Sequence, residues 1–240
     1  MAPSFALSVG SVLSEKYQVQ SLLGRGWEGE VYRIMELDTG VERAAKIFFP
    51  KRNVQNKSAI AYAQKLHRLR KCPVMISYHN RENIEYKGED LTLFISEYVE
   101  GELLTKHLSR YRGARLPLFQ GLHLLHALAK GVDSMHEMNE YHGDLHSDNI
   151  IVQSLGLNYD LKLLDLFNWG KSSRSNQQYD ICCIIRIFYD AIGAQRHYAN
   201  HPQWVRDICC GLKKTLIARK FKSAKDLLRY LESLDWSKPG

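Results

Sequence analysis

Hydrophobic positions alternate with polar ones through most of the first hundred residues, then recur every three or four. Tyr17-Gln18-Val19 leads into Leu22-Leu23, and Val31-Tyr32-Arg33-Ile34 resumes the two-residue period after a cluster of glycines. A turn at Asp38-Thr39-Gly40 returns the chain as Ala44-Ala45-Lys46-Ile47-Phe48-Phe49. These runs predict strands joined by tight turns. Residues 58–71 carry apolar side chains at helical spacing, and two more strands are expected at 83–86 and 91–96. The stretch Ser96-Glu97-Tyr98-Val99-Glu100-Gly101 breaks the pattern before a short helix at 103–108. Beyond it, Leu122, Leu125, Leu128, Val132 and Met135 make one buried stripe of a long helix over 118–138. A short strand at 150–152, a return strand at 160–165, and helices at 178–191, 202–216 and 223–234 complete the pattern, with no internal repeat.

Composition narrows the class without naming a chemistry. The chain has 240 residues, 45% hydrophobic and 25% charged, enough to bury a substantial core. No apolar run reaches the roughly 20 residues that span a bilayer, and the N-terminus lacks a basic, cleavable leader, so no membrane partner and a cytoplasmic location are expected. Adjacent cysteines on a helix, as at Cys182-Cys183 and Cys209-Cys210, point about 100° apart. With Cys72 they read as buried thiols rather than disulfides or metal ligands. A net charge of +7 raises the question of nucleic acid. The basic residues, however, lie in helical patterns without interleaved aromatics, so solvated helix faces explain them better. A small anionic ligand would also favour a positive cleft.

Three segments carry chemistry. Gly24, Gly26 and Gly29 stand at G-x-G-x-x-G-x-V spacing between two predicted strands, and without Cβ atoms such a loop lets backbone N–H groups approach phosphate oxygens. A dinucleotide-binding unit would need a helix after the glycines, whereas Val31 onward continues as strand. Lys46 lies inside an apolar strand, a costly place for an ammonium without a partner. Third, residues 142–149 read His-Gly-Asp-Leu-His-Ser-Asp-Asn. Asp144 there can hold an attacking hydroxyl, and Asn149, five residues on, can ligate Mg²⁺. Asp165, sixteen residues after Asn149, can bridge the same metal to phosphates.

In this order, from Tyr17 to Leu234, the segments resemble the protein-kinase-like superfamily, in particular a minimal bacterial-type serine/threonine protein kinase. The resemblance implies a bilobal α+β fold: an N-lobe over 13–97 with a small antiparallel sheet and one helix, and a hinge with a mainly helical C-lobe over 98–240. It implies ATP and Mg²⁺ as cofactors and a protein Ser/Thr hydroxyl as acceptor. By resemblance Asp144 and Lys46 are catalytic, and Asn149 and Asp165 hold the metal. The nucleotide is expected on Gly24, Arg25, Gly26, Trp27, Gly29 and Val31, with Lys46 on the α- and β-phosphates. Ala44 roofs the adenine and Ile151 floors it, the backbones of Glu97 and Val99 meet its edge, Ser96 is a small gatekeeper, and Glu102 reaches the ribose. His146 takes the place of a lysine directed at the γ-phosphate, while His142 packs and Asp148 caps the loop or faces solvent. Asp180 either holds the catalytic loop or simply caps its own helix.

Departures from the pattern keep other readings open. Protein kinases pair the strand lysine with a helix glutamate, yet no Asp or Glu occurs between Lys51 and Asn80; Gln64 or Tyr62 lies near that position, or the ion pair is lost. Gly143 replaces the arginine that reads a phosphorylated activation loop. Asp165 and Asp180 are fifteen residues apart, with Phe167-Asn168-Trp169-Gly170-Lys171-Ser172-Ser173-Arg174-Ser175 as all that remains of an activation segment. That shortness and the His-Gly-Asp-Leu-His string resemble aminoglycoside and choline phosphotransferases, which act on small hydroxyl acceptors. The missing glutamate points to a third alternative, a nucleotide-binding pseudokinase scaffold.

Overall fold

A computed structural model describes residues 4–155, 158–167 and 170–234. The described chain forms two compact units, one from residues of Met1–Arg70 and Ile76–Val99, the other from Lys71–Met75 and Glu100–Gly240.

The first unit is a six-stranded antiparallel sheet with one α-helix. Its strands are β1 (Val12–Leu13), β2 (Tyr17–Arg25), β3 (Gly29–Glu36), β4 (Glu42–Phe48), β5 (Tyr78–Tyr86) and β6 (Glu89–Glu97), in spatial order β1-β2-β3-β4-β6-β5. Helix α1 spans Lys57–Arg68. Register assigns every side chain a face, because the pleat alternates. Val31 opposes Lys46, Arg33 opposes Ala44, and Ala44 opposes Ser96, so Val31, Ala44 and Lys46 share one face. Tyr32, Ile34, Ala45, Ile47, Leu93 and Ile95 lie on the other face and form the core with Val19, Phe5 and Leu13. Helix α1 covers part of the Lys46 face, where the Tyr62 and Phe94 rings sit 4.9 Å apart.

Glu30 is the polar exception in that core, fully buried on β3. It accepts hydrogen bonds from the Tyr32 hydroxyl (2.5 Å), the Ser4 hydroxyl (2.7 Å) and the Phe5 amide (3.2 Å), and Arg25 Nε lies at 3.5 Å. Burial, then the hydrogen bond to Glu30, push the Tyr32 phenol well above its ordinary value. The chain ahead of β1 is thereby fastened across the sheet. Tyr32→Phe removes a charge-assisted bond from a buried carboxylate, for about 2 kcal/mol. A melting temperature lowered by roughly 4–8 °C is expected on that figure; an unchanged transition would mean the carboxylate finds a replacement donor.

The second unit is mainly helical. A three-stranded sheet joins β7 (Glu102–Leu103), β8 (Ile150–Leu155) and β9 (Asn158–Leu163). Around it lie α2 (Leu104–Ser109), α3 (Leu118–Glu137), α4 (Arg174–Ala191), α5 (Ala194–Tyr198), α6 (Gln203–Cys209), α7 (Lys214–Lys220) and α8 (Ala224–Glu232). The predicted stripe of α3 is buried at all five positions, and α3 packs against α4 and α8. Two expectations need correction. The single helix expected over 202–216 is two, because Cys210, Gly211 and Leu212 adopt left-handed backbone (φ 49°, 58° and 58°) that no continuous helix tolerates. Helix α4 begins at Arg174, four residues earlier than the apolar pattern indicates, because the Ser173 hydroxyl caps it by accepting from the Asn176 amide.

The cysteines are free thiols, but of the five expected to be buried only Cys72 and Cys209 are; Cys182, Cys183 and Cys210 are half-buried. Burial pushes Cys209 up to about 12, and burial followed by the Asp180 charge does the same to Cys183. At pH 8 a thiol so placed is roughly one part in ten thousand thiolate, the reactive form. Iodoacetamide at pH 8 is therefore expected to spare the buried Cys209 in the native protein and to label it once urea unfolds the chain. Prompt native labelling of Cys209 would contradict its burial.

Candidate functional site

The first unit presents its candidate groups on a loop and a sheet face. Only Gly26, Trp27 and Glu28 separate β2 from β3, and the Gly26 amide closes the turn on the Gly29 carbonyl (2.9 Å). The three glycines of the motif do different jobs. A Cβ on Gly24 or Gly26 would meet nothing within 4 Å, so both leave open backbone. A Cβ on Gly29 would lie 2.1 Å from the Ile47 carbonyl oxygen, so that glycine is fixed by strand packing. Arg25 turns its guanidinium toward Glu30 and the Phe49 ring, and the exposed Trp27 ring lies under Arg52 at 3.9 Å.

Lys46 Nζ lies 2.8 Å from Glu28 Oε2, with the Phe48 and Tyr62 rings at 5.2 and 5.4 Å. Of the alternatives left by the missing helix glutamate, an uncharged partner or no ion pair at all, the second does not hold: Lys46 is paired with a different carboxylate, one at the tip of the glycine loop. Of the two α1 residues suggested by the sequence, Tyr62 faces Lys46 and Gln64 is exposed. Glu28 was not singled out by motif spacing; the available signal was an acid between the second and third glycines, where proximity to Lys46 depends on the turn. Val31 and Ala44 are half-buried on the Lys46 face, Ser96 is buried at the end of β6, and Glu97 and Val99 are half-buried. Glu97 also donates its amide to Ser77 (2.9 Å).

In the second unit the loop from Tyr141 to Asn149 is held from within. Asp180, fully buried in the seventh position of α4, accepts from the His142 amide (2.7 Å) and the Gly143 amide (2.8 Å), with His136 Nε2 at 3.2 Å. Its capping alternative is therefore excluded: Ser173 caps the helix, and Asp180 holds the loop. Gly143 has φ +85°, and a Cβ there would crowd the Tyr141 ring (3.1 Å) and the Phe167 carbonyl (3.2 Å). Replacing arginine with glycine at this position suits a backbone that side chains adopt only under strain.

Asn149 donates its side-chain amide to the Asp144 carbonyl at 3.0 Å, which commits that nitrogen to the loop and makes Oδ1 the atom that could ligate a metal. The Asn149 carbonyl accepts from the Leu164 amide (2.8 Å), so the residue next to Asp165 is tied to the loop. Asp165 itself is left-handed, φ +52°. The Asp144 side chain is half exposed, with His146 Nε2 3.7 Å from its Oδ2, while His146 Nδ1 accepts from the Asp148 amide (3.3 Å). Asp148 also accepts from Thr105 (2.5 Å). His142 is buried. Glu102 is engaged by Arg110 (2.8 Å) and His107 (3.2 Å). Ile151 is half-buried on β8, against Gly101, whose φ of +133° and close approach to Ile151 and Val152 leave no room for a side chain. Asn168 and Trp169 of the short activation segment lie outside the described residues.

A pocket of about 300 Å³ opens beside this loop, with Leu145, His146, Tyr179, Cys183, Arg186 and Lys214 on its wall. The neighbouring Cys183 thiol and burial push the Tyr179 phenol up, and the Asp144 charge adds to it.

Chemically, the second unit offers a carboxylate at an open position and two hard oxygen donors, Asn149 Oδ1 and the Asp165 carboxylate. Two protein oxygens completed by phosphates suit Mg²⁺. Among the described residues no cluster of three His, Cys, Asp or Glu side chains could hold a metal alone, and no helix is long and apolar enough to cross a membrane.

The protein kinase domain family model matches residues 17–200. CBL-interacting protein kinase 30 of Oryza sativa subsp. japonica is 30% identical over 158 residues, 64% of this chain and 31% of that protein. Calcium-dependent protein kinase 4 of Plasmodium falciparum (isolate 3D7) is 26% identical over 165 residues, 68% of this chain and 30% of that protein. The chain thus spans about a third of the length of these relatives. Among solved structures, the Mycobacterium tuberculosis PknI kinase domain matches with a TM-score of 0.69 and 19% identity, covering 95% of this chain and 99% of that one. That likeness shows the fold: α+β, with an antiparallel-sheet N-lobe and a helical C-lobe.

Proposed function

The chain belongs to the protein kinase family, and from that premise we propose that it is a minimal, atypical serine/threonine kinase, transferring the γ-phosphoryl group of Mg-ATP to a protein hydroxyl. The observation that carries this reading is the internally braced catalytic loop. Asp180 fixes the backbone at 142 and 143, and the Asn149 amide fixes the carbonyl of Asp144. Asp144 is then left open to accept the acceptor's proton as its oxygen bonds to phosphorus and the bond to ADP breaks. Asn149 Oδ1 and Asp165 hold Mg²⁺, which supplies charge neutralisation on the phosphates when bound. Lys46 and the open backbone at Gly24 and Gly26 hold phosphates. Val31, Ala44, Ile151 and the backbones of Glu97 and Val99 take the adenine, with Arg25, Trp27, Gly29 and Glu102 at the margins of the nucleotide. His146, 3.7 Å from Asp144, would take the part of the lysine directed at the γ-phosphate.

Intact mass after incubation with Mg-ATP tests the reading, wild type against Asp165→Ala. Phosphoryl additions of about 80 Da on wild type alone are expected. Additions on both would remove Asp165 from the mechanism. The pocket beside His146 favours a second reading, transfer to a small alcohol, since its size reaches the lower range of ligand sites. No mass change on any protein, with saturable ADP release on an amino-alcohol or sugar, would select it. Nucleotide binding without ADP release on any acceptor would select the scaffold. A cytoplasmic setting and a protein partner belong to the first reading.

A further inference from the structure

The Glu28–Lys46 pair combines three independent observations. Lys46 has a side chain only 11% exposed and faces two aromatic rings, so its ammonium needs a counter-charge more than a surface lysine does. Helix α1, which packs on the same sheet face, has no carboxylate to give, because no Asp or Glu occurs between Lys51 and Asn80. Glu28 is brought to Lys46 by backbone as well as by charge. Its carbonyl accepts from the Phe49 amide just beyond β4 (2.8 Å), and Gly29 pairs in register with Phe48, two residues from Lys46. The loop tip is therefore clamped over the strand that carries the lysine.

We propose that Glu28 is the residue that positions Lys46, a glycine-loop carboxylate doing what a helix carboxylate does elsewhere. An ammonium has three donors; holding one on Glu28 restricts the directions from which Lys46 can meet a phosphate oxygen. Because Glu28 rides on the loop, the lysine is in place when the loop is. Loop closure and lysine alignment thus become a single event, whereas a helix partner would keep them separate.

The catalytic part of the proposal rests on the phosphotransferase reading, so the experiment has one arm with nucleotide and one without. Without nucleotide, Lys46 acylation by an amine-reactive acetyl ester is followed by peptide mass spectrometry. Glu28→Gln is expected to speed labelling of Lys46 at least about fivefold over wild type, with Glu28→Asp between them. Equal rates in wild type and Glu28→Gln would overturn the pair itself. With Mg-ATP, Glu28→Gln is expected to lower kcat at least about tenfold while the calorimetric Kd for Mg-ATP stays within about threefold, and Glu28→Asp is expected to recover part of kcat. A tighter Kd with unchanged kcat would overturn the proposal in favour of a carboxylate that merely competes with phosphate. Faster labelling in Glu28→Gln alongside no turnover in wild type would uphold the pair and sink the phosphotransferase reading instead.

Discussion

Asp144→Asn is expected to lower kcat for phosphoryl transfer at least about a hundredfold, roughly 2.7 kcal/mol of barrier, while the melting temperature and the Kd for Mg-ATP stay near wild type. The expected separation of effects comes from the way the residue is used. Its backbone carbonyl is structural, since it orients the Asn149 amide at 3.0 Å. Its side chain carries little structural load, being half exposed with His146 Nε2 at 3.7 Å and the Asn149 amide at 3.5 Å. Asparagine keeps the size and one oxygen, and so keeps the loop. It cannot accept a proton, which is the capacity the reaction needs. A companion variant, Asn149→Ala, is expected to fail differently: it removes both a metal ligand and the brace on the Asp144 carbonyl, so the Mg²⁺ concentration for half-maximal rate should rise as kcat falls. Steady-state kinetics across ATP and Mg²⁺ concentrations would separate the two. Wild-type turnover in Asp144→Asn would move the proton acceptor elsewhere.

Where the sequence was legible, periodicity and motif order coincided. Tyr32, Ile34, Ala45 and Ile47 announce a two-residue period and lie together in the sheet core, and the α3 stripe from Leu122 to Met135 is buried as its spacing demands. The loop from His142 to Asn149 could be read because its donors and acceptors are consecutive in the chain. Contacts made by folding were harder. Glu28 reaches Lys46 only because the β2–β3 turn bends its carboxylate onto the sheet face, and the seventeen residues of intervening sequence carry no mark of it. Asp180 was ambiguous for a related reason. Its apolar neighbours start the visible helical pattern at Gln178, while the helix actually begins at Arg174 on a polar turn capped by Ser173. The broken helix at Cys210 was hidden because a left-handed backbone at cysteine and leucine has no compositional signature. Glu30 shows the same limit: a glutamate on a strand reads as exposed until Ser4, Phe5 and Tyr32 are seen to converge on it.

Asp180→Ala should produce the largest combined effect on stability and turnover, because one buried carboxylate serves three donors. Removing it strands the amides of His142 and Gly143 and leaves His136 facing a cavity, all inside the second unit. Each unsatisfied buried donor costs about 1–3 kcal/mol, so a loss of about 3–5 kcal/mol is expected. The melting transition should fall by roughly 6–20 °C on that figure. Asp180→Asn is the more telling variant. An amide supplies one acceptor oxygen where two N–H groups now find one each, and its NH₂ must point at a second donor. It should therefore cost nearly as much as alanine despite its matching shape. Turnover should fall at least about a hundredfold in both variants even at temperatures where they remain folded, because the loop that carries Asp144 has lost the clamp at 142 and 143. Circular dichroism melts and turnover at 15 °C on the same samples test both halves. If Asp180→Asn kept wild-type stability, the bidentate clamp would be energetically idle. If it lost stability but kept turnover when folded, Asp144 would owe its position to Asn149 and the short strand pair β8–β9, and the loop would be braced from that side alone.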